Sequence, residues 1–232
     1  EEEAFRYCLQ WLKNHRVDRI ISNWEPTMLL AAQLREAIGL NGMSVHHTLG
    51  FRDKTIMRER VAAAGLRIPI TRRAQSNKQI WSAAEEIGFP LIIKPVAGAG
   101  SSNTHHVLDQ KSLTEACSAL AAIEVVSVEE YILGEERTHE TICIDGLPVV
   151  ESMSHYEPSC LVARQNEWIS PIIQTYRHLD TPDLLKGKRL GEKVLKALGM
   201  KTGFTHMEWF YTPSGEAVFG EVACRSPGSN MV

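Results

Sequence analysis

Apolar spacing and capping residues predict six helices along the chain. In each, apolar side chains recur at intervals of three and four residues, or a capping residue and a following glycine mark the ends. The six predicted helices cover residues 4–15, 26–38, 54–64, 77–87, 111–122 and 182–198. Asp53 is well placed to cap the third helix, and Gly65 to end it.

Short runs of branched and apolar residues between these helices predict strands. The predicted strands lie at residues 17–22, 91–93, 104–108, 125–132, 138–144 and 147–153, around Leu161 and Ile172, and on both sides of a turn at 213–216. The Asp145-Gly146 pair predicts a tight hairpin turn. The mixture of elements predicts a fold of the α/β (α+β) class.

The most informative hairpin covers residues 203–225, where a turn rich in Pro, Ser and Gly separates two strand-like runs. If the hairpin closes symmetrically, Tyr211 faces Val218 and Glu208 faces Glu221. Directly opposed residues in an antiparallel pair have Cβ atoms about 4.5–5.5 Å apart. Two carboxylates at that separation repel each other unless a cation lies between them.

This opposed pair of carboxylates indicates a magnesium–nucleotide site. Mg²⁺ prefers oxygen ligands and is usually held by one or two carboxylates together with substrate phosphates. The alternative is a surface hairpin with two solvated glutamates. The apolar neighbours Met207, Trp209 and Val222 favour a partly buried setting.

Composition narrows the class of protein. The chain has 232 residues, a net charge of −3 and a pI near 6.3, so no basic surface points to nucleic acid as the main partner. Its five cysteines form no CxxC pair, which predicts neither a disulfide framework nor a zinc site and favours a cytoplasmic setting. No apolar run has the length of a membrane span. We expect the chain to be a piece of a longer protein.

Two lysines and a glycine-rich segment are candidates for phosphate binding. Lys54 lies in the first turn of a predicted helix, and Lys94 ends a predicted buried strand just before the segment GAGSS at 98–102. Successive backbone N–H groups in such a turn can bind a phosphate. An exposed lysine and a flexible turn are the alternatives, since the segment matches neither GxxxxGK[ST] nor GxGxxG.

Taken in order, these motifs resemble the ATP-grasp superfamily of ATP-dependent ligases. The matching motifs are Asp-Lys at 53–54, Ile-Lys-Pro at 93–95, GAGSS at 98–102, Glu-Glu-Tyr-Ile at 129–132, Gly-x-Glu at 134–136, then Glu208, Glu221 and Arg225. The resemblance implies an ATP-grasp fold, with two α+β subdomains that hold ATP. It also implies three regions: the end of a preceding α/β domain at 1–50, a small subdomain at 51–128 and a large, incomplete subdomain at 129–232.

The resemblance implies ATP and Mg²⁺ as cofactors, with Mn²⁺ as an alternative, and it implies phosphate-binding roles. Lys54 and Lys94 would contact the nucleotide phosphates, with Lys94 also near the adenine. Gly100, Ser101 and Ser102, within the glycine-rich loop, would close over the β- and γ-phosphates.

The same resemblance implies roles for the nucleoside and for catalysis. Glu129 would accept a hydrogen bond from the adenine amino group, and the backbone of Glu130, Tyr131 and Ile132 would bind the purine edge. Glu136 would bind the ribose hydroxyls. The remaining implied roles are metal binding by Glu208 and Glu221, and stabilisation of developing charge by the catalytic residues Arg225 and Lys54.

One position departs from the family pattern. The last motif is commonly Glu-x-Asn-x-Arg, in which the Asn is a further metal ligand, whereas this chain has Ala223. This substitution calls a two-metal geometry into question.

The reading favoured by the resemblance is an ATP-dependent carboxylate–amine ligase that forms ADP and phosphate. The lack of a basic or other macromolecular surface signal favours small molecules, such as amino acids, as the groups that the ligase joins. Its partners would be ATP, a small carboxylate and an amine, with no nucleic acid and no membrane. The alternatives are a bicarbonate-activating enzyme of the biotin-carboxylase or carbamoyl-phosphate type, and an inactive ATP-binding regulatory module. The sequence names neither substrate and gives no oligomeric state.

Overall fold

The computed structural model describes residues 2–96, 103–166 and 168–228, which form two compact units. The first unit comprises residues 1–68, 135–157 and 172–232, and the second comprises 69–134 and 158–171. In chain order the elements are α1 (Glu2–Leu12), a 3₁₀ turn (Glu25–Thr27), α2 (Met28–Ala37), α3 (Val45–Arg52), α4 (Lys54–Ala63), β1 (Thr71–Ala74), α5 (Asn77–Ile87), β2 (Leu91–Pro95), β3 (His105–Val107), α6 (Gln110–Ala119), β4 (Val126–Glu130), β5 (Glu135–Ile144), β6 (Leu147–Glu157), α7 (Cys160–Gln165), β7 (Ile172–Thr175), α8 (Pro182–Leu198), β8 (Gly203–Tyr211) and β9 (Ala217–Ala223).

The first unit is built on a five-stranded antiparallel sheet in the order β7-β6-β5-β8-β9. Helix α8 packs on one face of this sheet through two small residues. A Cβ atom at Gly187 would overlap the Trp209 ring, and one at Gly191 would overlap His139. This close approach lets the fully buried Trp209 fill the core between helix and sheet.

The second unit contains a four-stranded antiparallel sheet in the order β1-β4-β2-β3. Its core is formed by apolar side chains from these strands and from α5 and α6. The residues most fully buried there are Ala74, Leu91, Ile93, Val107, Leu113, Ala116 and Val128. The caps agree with the sequence pattern, since the Ser76 hydroxyl accepts from the Gln79 N–H and the Asp109 carboxylate accepts from the Ser112 N–H.

The six predicted helices are confirmed, with ends shifted by up to three residues, and so are most of the predicted strands. Two strand predictions are wrong. Residues 17–22 form no strand, and the Ile20 carbonyl accepts a hydrogen bond from the Arg35 guanidinium instead of from a neighbouring strand. Leu161 lies in helix α7, which begins at the Ser159 cap, whereas Ile172 does begin a strand.

Helix α3 was absent from the sequence-based prediction. Its sequence, VHHTLGFR, has little amphipathic pattern and contains Gly50, a poor helix former. Tertiary contacts stabilise it instead, because Thr48 and Phe51 are almost fully buried and the Ser44 hydroxyl caps its first turn.

The register of the β8–β9 hairpin is partly as predicted. Glu208 does face Glu221, but Tyr211 faces Ala217, so the predicted pairing of Tyr211 with Val218 is wrong. The difference comes from a β-bulge next to Glu208, which adds one residue to β9. Gly220 provides that extra residue, and a Cβ atom there would lie 2.8 Å from the Glu208 carbonyl oxygen.

The packing of α8 on Trp209 leads to a stability prediction. Gly187→Ala should lower the free energy of unfolding by about 1–3 kcal/mol, because the added methyl group must displace a buried ring. Alanine is the better helix former by about 1 kcal/mol, so propensity alone predicts the opposite sign. Urea denaturation at neutral pH measures the difference.

Gly50→Ala is the matched control for this prediction. A Cβ atom at Gly50 in α3 would lie 2.7 Å from the Arg60 Nη1 atom, at the end of a flexible side chain that can move away. We expect Gly50→Ala to change stability by less than Gly187→Ala. Equal losses in the two variants would contradict the account of α8 packing.

Candidate functional site

Two opposed glutamates form the centre of the candidate site in the first unit. Glu208 on β8 and Glu221 on β9 are directly paired across the sheet. Their side chains are 41% and 39% exposed, so their oxygen atoms remain accessible to a ligand. Successive strand residues alternate between faces. Because Met207 and Trp209 lie on the face covered by α8, Glu208 lies on the opposite face.

Lys54 partly balances the charge of this pair. It is the first residue of α4, where the Asp53 carboxylate accepts hydrogen bonds from the N–H groups of Thr55 and Ile56. The Lys54 Nζ atom lies 2.7 Å from Glu221 Oε2. Lys54 therefore provides, on one side of the pair, the positive charge that two opposed carboxylates need.

His206 balances the charge on the Glu208 side. Its Nε2 atom lies 3.6 Å from Glu208 Oε1, and its Nδ1 atom lies 3.0 Å from Oε1 of the buried Glu140. Burial lowers the pKa of His206, but the hydrogen bond to Glu140 and the negative charge of the nearby Glu208 outweigh burial and raise that pKa to about 9. The imidazole is therefore held as a cation at neutral pH.

The charged groups around Glu208 change the pKa of its carboxyl group. Burial raises the pKa of the Glu208 carboxyl, but His206, Lys54 and Arg225 together lower it below its ordinary value. Glu208 is thus an anion at neutral pH and can serve as an oxygen ligand.

The arrangement fits a divalent cation. Two carboxylates at one place provide the hard oxygen donors that Mg²⁺ prefers. Within the described residues, no three His, Cys, Asp or Glu side chains lie close enough to hold a metal ion together. Glu208 and Glu221 would therefore hold the cation together with ligands that a bound substrate or water provides.

Arg225 lies just beyond β9 and is tied to the helical part of the first unit. Its Nε atom lies 3.4 Å from Glu25 Oε2, and Arg52 forms an ion pair with the same carboxylate. The Arg225 Nη1 atom also donates to the Ser226 carbonyl at 3.0 Å. Neither Glu25 nor Arg52 was singled out from the sequence, because both are remote from Arg225 along the chain.

In the second unit, Lys94 and Glu129 form an ion pair. They lie on the adjacent strands β2 and β4, and Lys94 Nζ is 2.9 Å from Glu129 Oε2. The Glu129 side chain is only 7% exposed, and its Oε1 atom accepts a hydrogen bond from the Ser127 hydroxyl at 2.8 Å. The structure thus pairs Lys94, expected at the phosphates and near the adenine, with Glu129, expected at the adenine amino group.

The segment expected to bind the purine edge follows directly. The N–H of Glu130 donates to the Ile70 carbonyl at 2.8 Å, and the N–H of Tyr131 donates to the Pro90 carbonyl at 3.3 Å. Tyr131 stacks on His106 with ring centroids 4.2 Å apart, and Ile132 is buried. These contacts fix the position of the segment, and two of its N–H groups have protein acceptors.

Other expected site residues lie elsewhere. Gly100, Ser101 and Ser102 fall outside the residues that the structure describes. Glu136 lies on β5, opposite Phe210 of β8, and belongs to the first unit, whereas Glu129 belongs to the second.

His206 and Glu140 are the residues that sequence reasoning missed. His206 precedes Glu208 by two positions on a strand and must share its face, so strand alternation could have identified it. Glu140 required knowledge of the pairing between β5 and β8, which is not encoded by any local pattern.

Comparison with known proteins found a matching family model and similar ligases. The family model for the carbamoyl-phosphate synthase L chain, ATP binding domain, matches residues 53–140. The chain is 27% identical over 230 residues to an L-arginine-specific L-amino acid ligase of Bacillus subtilis, covering 96% of this chain and 55% of that protein. It is 26% identical over 259 residues to the alanine–anticapsin ligase of Bacillus subtilis strain 168, covering 100% of this chain and 53% of that protein.

The chain therefore spans about half the length of these curated relatives. Among solved structures, the L-amino acid ligase from Bacillus licheniformis superposes with a TM-score of 0.77 and 24% identity, over 98% of this chain and 54% of that one. This likeness concerns the fold.

No helix within the described residues has the length and apolar character needed to cross a bilayer.

The ion pair in the second unit leads to a stability prediction. Lys94→Met should lower the free energy of unfolding by about 1–3 kcal/mol, because the buried Glu129 carboxylate loses its cation. Adding Glu129→Gln to that variant should recover part of the loss, since the amide carries no charge to desolvate. Chemical denaturation of the two single variants and the double variant measures this coupling, and strictly additive losses would contradict it.

Proposed function

Because this chain belongs to the ATP-grasp superfamily, we propose that it is the ATP-binding part of a ligase that joins a small carboxylate to an amine. The family expected from the motif order is confirmed by the matched ATP-binding domain model and by the fold. The observation that carries the proposed activity is the cross-strand pair Glu208–Glu221, with Lys54 against it and Arg225 nearby in sequence.

The relatives support amino acids as the substrate class. Two of them are named as an L-arginine-specific L-amino acid ligase and an alanine–anticapsin ligase, and each aligns with nearly all of this chain. The chain covers about half of each relative, so we assign no acyl donor and no nucleophile to particular residues. An amino-acid ligase remains our proposal for the class.

The proposed reaction has two steps. A carboxylate oxygen of the first substrate attacks the γ-phosphorus of ATP, which breaks the bond to the bridging oxygen and releases ADP. The resulting acyl-phosphate has phosphate as its leaving group, whereas the original carboxylate had none. The amine of the second substrate then attacks the acyl carbon, loses a proton and expels phosphate, which forms the amide.

The residues of the second unit would bind the nucleotide. Lys94 carries a positive charge suited to phosphate oxygens, and its pairing with Glu129 would fix the position of both side chains. Glu129 would accept from the adenine amino group, and backbone groups of the segment from Glu130 to Ile132 would bind the purine edge. Gly100, Ser101 and Ser102 would bind the terminal phosphates, and Glu136 would bind the ribose.

The charged residues of the first unit would act at the reacting phosphate. Glu208 and Glu221 would hold the divalent cation, which when bound neutralises charge on the phosphate oxygens. Lys54, which lies against Glu221, would provide a positive charge for a phosphate oxygen. Arg225, oriented by Glu25, would stabilise the charge that develops during transfer.

Ala223 fits this proposal with a single cation held mainly by the two glutamates. The buried Ala223 follows Glu221 by two residues, so it lies on the same face and provides no ligand.

The free cysteines in the described part of the chain are compatible with a reducing compartment, and we propose that the protein works in the cytoplasm.

The test of the proposed function uses the full-length protein with MgATP and a pool of amino acids. We expect ADP and phosphate to form only when both an acid and an amine are present, with a new amide product detected by chromatography and mass spectrometry. Turnover driven by bicarbonate alone would replace this proposal with the carboxylase type. AMP and pyrophosphate would exclude the acyl-phosphate step, and bound ATP without any turnover would favour a regulatory module.

The metal role of the paired glutamates gives a second prediction. Glu221→Gln should remain folded, because the loss of the Lys54 contact is offset by relief of the repulsion between the two opposed carboxylates. Its Mg²⁺-dependent turnover should fall at least about a hundredfold. Initial rates of ADP release over a range of Mg²⁺ concentrations measure this.

Glu216→Gln is the matched control for that variant. Glu216 lies in the turn of the same hairpin, is half exposed, and has the Arg67 guanidinium 3.9 Å away. We expect the rate of Glu216→Gln to stay close to that of the unmodified protein. Full activity of Glu221→Gln would refute the assignment of the metal site.

A further inference from the structure

A buried carboxylate in the first unit calls for an explanation. The Glu140 side chain is fully buried in the middle of β5, and its Oε2 atom has no hydrogen-bond partner among the described residues. An unpaired buried polar atom is costly, and native proteins contain few of them. The other oxygen, Oε1, lies 3.0 Å from His206 Nδ1.

Glu140 and His206 belong to a row that lies beside the candidate site. Glu140 on β5 pairs with His206 on β8, which pairs with Ala223 on β9. The pair Glu208–Glu221 lies two positions along the same strands, so both rows project from the same face. His206 is therefore the direct neighbour of the position where the common amide ligand is replaced by alanine.

The two ring nitrogens of His206 link the buried carboxylate to the exposed one. Nδ1 contacts Glu140 Oε1 at 3.0 Å, and Nε2 lies 3.6 Å from Glu208 Oε1. The shortest approach of the imidazole to Glu208 is to one carboxylate oxygen, Oε1. Groups that contact a metal ligand in this way commonly fix its orientation.

Resting on the proposed function, we propose that Glu140 and His206 are positioning residues that orient Glu208 toward the divalent cation. Glu140 anchors the imidazole from the interior of the sheet, and the imidazole restrains one carboxylate oxygen of Glu208. Glu140 and His206 thereby place a fixed polar group beside position 223, where the alanine side chain has none. The Oε2 atom of Glu140, which has no hydrogen-bond partner among the described residues, is the cost of placing a polar anchor inside the sheet.

The experiment measures Mn²⁺ binding to the full-length protein with a non-hydrolysable ATP analogue, by electron paramagnetic resonance. His206→Gln should weaken Mn²⁺ binding about tenfold, the size of effect typical of residues that orient a metal ligand. Glu140→Gln should weaken it in the same direction. If His206→Gln does not fold, Glu140→Gln provides the test, because it removes the anchor and leaves the imidazole in place.

His139→Gln is the matched control. His139 is also a buried histidine paired with a glutamate, since its Nε2 atom lies 3.0 Å from Glu151 Oε2, but it lies on the α8 side of the sheet. We expect this variant to lose stability without any change in Mn²⁺ affinity. An equal loss of affinity in His139→Gln would mean that general loosening of the sheet explains the effect, and would overturn the proposal.

A double-mutant cycle separates orientation of Glu208 from other effects. In a Glu208→Gln background, His206→Gln should cause no further loss of Mn²⁺ affinity, because the group that it orients is already altered. The proposal is overturned if the loss is the same in both backgrounds. It is also overturned if His206→Gln binds Mn²⁺ normally while Glu208→Gln does not, a result that leaves the proposed function intact. No nucleotide-dependent Mn²⁺ binding by the unmodified protein would instead refute the proposed function.

Discussion

The repulsion between two carboxylates on adjacent strands governs the arrangement of the first unit's charged face. Glu208 and Glu221 are directly opposed, and such a pair is unfavourable without positive charge close by. The chain places Lys54 on one side and His206 on the other, from a helix and a strand that are remote from each other in sequence. The pair is tolerable only within this set of cations, and a divalent ion satisfies the same requirement.

The β-bulge at Gly220 is what makes this opposition occur. The turn sets one register for the outer part of the hairpin, in which Tyr211 faces Ala217. One additional residue in β9 shifts the inner part, so that Glu208 meets Glu221. Gly220 permits it because the Glu208 carbonyl approaches too closely for any side chain. A local backbone irregularity therefore determines the geometry of the site.

Each face of the five-stranded sheet carries a histidine–glutamate pair, but the two pairs have different surroundings. On the α8 side, Glu151 binds His139 and Lys188, and these contacts outweigh burial and lower the pKa of its carboxyl to about 2. That network lies on the side of the sheet that α8 covers. On the opposite face, Glu140 and His206 lead outward to the accessible Glu208. Both histidine–glutamate pairs are largely buried, and we propose that the second is functional because its imidazole also approaches the half-exposed Glu208.

Local chemistry in the sequence determined much of this protein. Capping residues predicted the helices that begin after Asp53 and Ser76, and apolar spacing predicted the helix at 182–198. The Asp145-Gly146 turn predicted its hairpin, because these signals act over a few residues. Tertiary structure decided the rest. Helix α3 forms through burial, the run at 17–22 pairs with no strand in the part of the chain that the structure describes, and the bulge at Gly220 corrects the register. The ion pair of Lys94 with Glu129 and the row from Glu140 through His206 to Ala223 depend on which strands lie side by side. That choice is made by the packing of the whole sheet, which no short stretch of sequence encodes.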